Sequence, residues 1–65
     1  MKNLENLMQN PDYPRITLTI TCDEDGEFSG ILKSGFEILI AIRGYTEMDK
    51  FLDRFDFEAE RFING

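Results

Sequence analysis

The sequence contains no histidine and no tryptophan, and only one cysteine and two prolines among 65 residues. Without histidine there is no imidazole base, no Ser-His or Cys-His nucleophile pair and no facial metal triad. A lone cysteine, Cys22, forms no intrachain disulfide, and a Cys/His zinc site is excluded with it. The longest apolar run, Ile38-Leu39-Ile40-Ala41-Ile42, is far too short to span a bilayer. Asn3, Glu5 and Asn6 interrupt the first residues, so no signal-peptide core is expected there; one unpaired cysteine suits a reducing cytoplasm. Basic residues are scarce, seven against thirteen acidic ones, for a net charge of −6. Direct nucleic-acid binding needs clustered Lys and Arg against phosphate, and no such cluster exists. An anionic membrane is disfavoured for the same reason.

At this length there is room for one domain, residues 1–65, with one core. Ordering a chain so short costs about 1.5 kcal/mol per residue, nearly all that apolar burial returns. Six phenylalanines favour tight packing; self-association or a partner is the other route.

Hydrophobic periodicity predicts the elements. Leu4, Leu7 and Met8 lie at i, i+3, i+4, with Asn3 as N-cap, so a short helix over 4–10 is expected, ended by Asn10-Pro11. From Ile16 the period becomes two. Ile16, Leu18, Ile20 and Cys22 alternate with Thr17, Thr19 and Thr21 in a first strand. Phe28, Gly30 and Leu32 carry the apolar face of a second; Phe36, Ile38, Ile40 and Ile42 carry that of a third.

Opposed residues in a hairpin must share a face, so parity tests the turns. A Glu24-Asp25-Gly26 loop opposes Cys22 to Phe28 and Leu18 to Leu32. A Lys33-Ser34-Gly35 loop opposes Leu32 to Phe36, Gly30 to Ile38 and Phe28 to Ile40, whereas a two-residue loop at Ser34-Gly35 mixes the faces. Both three-residue loops end on glycine, which adopts the left-handed conformation without steric cost.

Thr46 and Asp49 have capping-box spacing, so a second helix is expected near Glu47. Met48, Phe51, Leu52, Phe55, Ala59, Phe62 and Ile63 form one wide apolar face, and Asn64-Gly65 ends the helix. The predicted fold is α+β, in the order α-β-β-β-α: a three-stranded antiparallel meander packed on a C-terminal amphipathic helix. The short N-terminal helix fits either sheet face.

Chemistry-bearing groups reduce to carboxylates, and those of the turn and the helix surface are expected to be solvated, so no catalytic residue is assigned. Asp23-Glu24-Asp25-Gly26 has part of a calcium-loop pattern. Its first and last ligand positions would fall on Thr21 and Leu32, however, so the reading is a hairpin turn without metal or cofactor. Cys22 reads as an inert core thiol. On the second helix, Asp49, Asp53, Asp56 and Glu60 recur at i, i+4, i+7 and i+11, a carboxylate row spaced by about 5–6 Å. Lys50, Arg54 and Arg61 form a basic stripe further round, with Glu47 and Glu58 at its border. Asp23, Glu24, Asp25 and Glu27 add a second acidic group. Phe57 falls opposite the core stripe, either exposed as an interface anchor or packed through a bend.

The element order resembles that of double-stranded-RNA-binding domains, but the place of their phosphate-binding lysine cluster holds Glu47, Met48, Asp49 and Lys50. In size, acidity and lack of catalytic groups the whole chain looks like the small anti-defence proteins of phages and mobile elements, anti-CRISPR inhibitors among them. The residues carrying that resemblance are Asp49, Asp53, Asp56 and Glu60, with Asp23, Glu24, Asp25 and Glu27. It implies a cytoplasmic inhibitor (host cytoplasm, if phage-encoded) that mimics the charge of DNA on the basic surface of a nucleic-acid-binding effector. Two other readings share the composition: a structural or self-assembling module, monomeric or a weak homodimer, and an antitoxin-like partner of a basic protein. A solvated, merely solubilising acidic surface is the plain alternative to all three.

Overall fold

A computed structural model describes residues 2–64. The elements are α1 (Lys2–Met8), β1 (Ile16–Cys22), β2 (Phe28–Ser34), β3 (Glu37–Tyr45) and α2 (Met48–Asn64). The predicted α-β-β-β-α order and the antiparallel meander β1-β2-β3 are both present. Gly65, expected to help end the last helix, lies outside the described residues.

Both helices cover one sheet face. Leu4 and Leu7 of α1, Leu32 of β2, Ile40 of β3, and Phe51, Phe55 and Ala59 of α2 form a single buried cluster. This settles the placement of α1, which packs beside α2. The centre of the core is aromatic: Phe51 meets Phe55 edge-on at 5.1 Å and stacks with Phe28 at 5.8 Å. Gly30 lies beneath these rings, where an added Cβ would come within 2.5 Å of Phe55. A strand glycine often marks such a close approach.

The first hairpin has the expected register, with Cys22 opposite Phe28, Leu18 opposite Leu32, and Gly26 at φ 82°. The second differs. Its loop is the two residues Gly35-Phe36, with Ser34 opposite Glu37, and Gly35 at φ 61° begins a II′-type turn. Leu32 therefore opposes Ile40, not Phe36, and Gly30 opposes Ile42, not Ile38. The parity conflict that disfavours a two-residue loop is resolved by a bulge: the register shifts between Leu32 and Lys33, leaving Leu39 as the extra residue of β3. Leu39 and Ile40 both serve the core, while Ile38 (58% exposed) and Phe36 (97% exposed) do not. A second shift accommodates Gly44 at φ 86° and returns Tyr45 to the core, against Phe51.

Three other expectations change. Helix α1 begins at Lys2, before residue 4, and ends at Met8, before residue 10, whereas α2 begins at Met48, near Glu47 as expected, with the Glu47 carbonyl accepting the Phe51 N–H at 3.0 Å. No hydrogen bond joins Thr46 to Asp49 among the described residues, and Met48, in the first turn, is exposed. Cys22, expected in the core, is exposed at the end of β1, an edge strand. Among the described residues, no element packs on the opposite sheet face. Its cross-strand rows are Thr17-Lys33-Ile38, Thr19-Ile31-Ala41 and Thr21-Ser29-Arg43.

Candidate functional site

The meander topology brings the acidic groups to one end of the molecule. The turn between β1 and β2 lies beside the C-terminus of β3, because Phe28 opposes Tyr45, and α2 starts three residues beyond Tyr45. The Phe28–Phe51 stack ties that turn to the first helical turn. Asp23, Glu24, Asp25 and Glu27 therefore share an end with Glu47, Asp49 and, one turn on, Asp53. This proximity required the sheet; the linear sequence presents two separate groups.

The four carboxylates of the helix row differ in circumstance. Asp49 and Asp53 are exposed, with no hydrogen bond or ion pair among the described residues. Asp56 is partly buried and occupied: Oδ1 accepts the backbone N–H of Leu4 at 3.0 Å, and Oδ2 accepts Nδ2 of Asn3 at 3.4 Å. It caps α1 in place of Asn3, the expected N-cap. Glu60 is exposed but has an interaction of its own. The row expected to face outward unpaired is thus reduced to its first half.

The basic stripe does not neutralise that half. Lys50 pairs with Glu47 at 2.9 Å, and Glu58 holds both Arg54 at 2.7 Å and Arg61 at 3.3 Å. These glutamates border the stripe on its far side, so the cations turn away from Asp49 and Asp53. Phe57 is 57% exposed, with the Arg54 guanidinium 5.5 Å from its ring centre. The straight-helix reading holds, and Phe57 stands between the acidic and basic stripes.

In the turn, Asp23 is structural as well as charged. Its Oδ1 accepts the N–H groups of Asp25 and Glu27, each at 2.9 Å. Carboxylate oxygens of Asp23, Asp25 and Glu27 lie within 4.8 Å of one another, yet that convergence follows from the turn itself. Glu24 and Asp25 are exposed. No protein family, curated protein or solved structure matches the chain.

Sequence reasoning missed two features, one at each end of the molecule. Arg43 lines a depression of about 390 Å³ with Asp23, Glu27, Ser29 and Gly44, which sets one cation beside the acidic turn. Phe36 protrudes from the opposite end, at the tip of the second hairpin. The turn glycine Gly35 was a legible signal for a tight loop; the bulge that frees Phe36 was not.

Proposed function

We propose that this chain is a non-catalytic binding module whose acidic end docks on a positively charged surface of a protein partner. The reading extends to an inhibitor that occupies a nucleic-acid-binding site by charge and bulk, acting in the cytoplasm. One observation carries it: Asp49, Asp53, Glu24 and Asp25 are exposed at one end, while the nearby cations of α2 are engaged by Glu47 and Glu58. Arg43 stands beside the turn, but Asp49 and Asp53 have no ion pair among the described residues, so their charge is available to a basic surface. Phe57 supplies an aromatic beside the charged stripe, the combination in which charge steers an encounter and an aromatic anchors it.

The test is capture of a basic nucleic-acid-binding protein from host lysate at low salt, followed by its release from nucleic acid by the purified chain. The Asp49→Lys/Asp53→Lys double variant should weaken that capture about 100-fold. Rising salt should elute the wild-type complex. Asp56→Asn, which alters a residue occupied within the fold, should still bind. Capture untouched by the double reversal removes the reading.

A further inference from the structure

The two free edges of the sheet are unlike. β3 carries two register shifts, and Arg54 and Glu58 of α2 stand beside it, lining a groove with Ile40, Ala41, Ile42, Arg43 and Tyr45. Bulges and flanking charge are standard protections against edge pairing. β1 has neither. From Ile16 to Cys22 it contains no charged residue, no proline and no register shift.

Two hydrogen bonds fix the phase of β1. The Asp23 N–H donates to the Glu27 carbonyl at 3.0 Å, and the Gly35 N–H donates to the Arg15 carbonyl at 3.2 Å. Opposed residues of an antiparallel pair alternate between exchanging such bonds and not. Residues 15, 17, 19, 21 and 23 are thus the ones bonded to β2. Ile16, Leu18, Ile20 and Cys22 aim their N–H and C=O groups away from the sheet, and no bond outside the ladder engages them among the described residues.

We infer that β1 pairs with β1 of a second copy of this chain, antiparallel about a two-fold axis at Thr19. This register sets Ile16 against Cys22 of the second copy and Leu18 against its Ile20, so every outward backbone group of the strand finds a partner. A shift by two residues in one direction brings Pro14, which has no N–H, into the ladder; a shift in the other direction leaves Ile16 beyond the end of the facing strand. The same register places Arg15 against Asp23 of the second copy and beside its Glu24. Arg15 is exposed and has no ion pair among the described residues. Charge complementarity therefore selects a second copy as occupant, although each copy carries −6. On the helix-covered face, Ile20 (39% exposed) and Cys22 gain apolar neighbours. The product is one six-stranded sheet with all helices on one side, and Asp49 and Asp53 stay outside the interface.

Sedimentation equilibrium from micromolar to millimolar protein should show a monomer–dimer equilibrium. Ile20→Pro removes an N–H that β2 does not use, a position at which edge strands tolerate proline. It should weaken dimerisation about 30-fold, through two lost bonds per dimer. In a Cys22→Ser background, Thr19→Cys should form a disulfide dimer on mild oxidation, since residue 19 faces its own copy. Thr17→Cys, which faces residue 21 of the second copy, should cross-link only when Thr21→Cys is added. A monomer at every concentration, or Thr17→Cys cross-linking alone as readily as Thr19→Cys, overturns the inference. The cysteine variants also decide it should Ile20→Pro fail to fold. Asp49→Lys/Asp53→Lys should leave dimerisation unchanged, which separates this result from the fate of the acidic-end proposal.

Discussion

Asp56 shows how much a single carboxylate depends on what arrives beside it. Helical spacing places it correctly next to Asp53 and Glu60. Spacing along α2 contains no information about a segment more than fifty residues earlier, so it cannot show that the start of α1 lands there. A helix begins with N–H groups that lack internal partners, and a carboxylate aimed at them gains from hydrogen bonding and from the helix dipole. Asp56→Ala removes both contacts and should cost about 1–2 kcal/mol. In a domain of this size that loss lowers the melting temperature by about 4–8 °C per kcal/mol, measurable by circular dichroism. Asp56→Asn keeps an acceptor for the Leu4 N–H and should cost about half as much. A melting temperature unaffected by alanine would refute the capping role. Gly30 is the converse case: a glycine within an apolar strand signalled close approach, and the rings of Phe51 and Phe55 supply the reason.

At the scale of elements, the first hairpin was legible because its loop and its face parity have one common solution. The second hairpin has two. A three-residue loop preserves parity at the turn; a two-residue loop preserves it by adding a residue to the strand, and the chain takes the latter. The choice depends on tertiary packing, since only the bulged register brings Ile42 opposite Gly30, under the aromatic rings. The two registers assign opposite weight to Phe36, which makes the hairpin testable. Phe36→Ser should change stability by less than about 0.5 kcal/mol, as expected of an exposed site. Gly35→Ala, forced into a left-handed backbone, should cost about 1 kcal/mol. Urea denaturation of both variants decides it. A loss of about 3 kcal/mol or more at Phe36 would restore the three-residue hairpin with that ring in the core.

At the scale of the whole molecule, the question is why Asp49 and Asp53 stand without ion pairs near a second acidic group that has Arg43 beside it. The ion pairs of Lys50, Arg54 and Arg61 span three or four residues and use Glu47, just before α2, and Glu58, so they act locally without relieving repulsion between Asp49 and Asp53. Asp49 and Asp53, one turn apart, repel each other by a few tenths of a kcal/mol. Both also feel the charged turn held nearby through the Phe28–Phe51 stack. Such exposed repulsion weakens once the Debye length falls to about 8 Å at physiological salt, so the chain should melt at a higher temperature in 0.15 M salt than in 0.01 M. Asp53→Lys converts the repulsive pair into an attractive one with Asp49 at i, i+4 and should raise low-salt stability by about 0.5 kcal/mol. The same substitution should narrow the salt dependence, and together with Asp49→Lys it should weaken partner binding about 100-fold. Stability and binding then move in opposite directions at one residue, as expected where a surface keeps unfavourable charge for recognition. Melting curves at the two salt concentrations provide the check. A wild-type chain that melts at the same temperature in both, or a Asp53→Lys variant less stable than wild type at low salt, would mean that the acidic end carries no strain, and the charge would then need no partner to account for it.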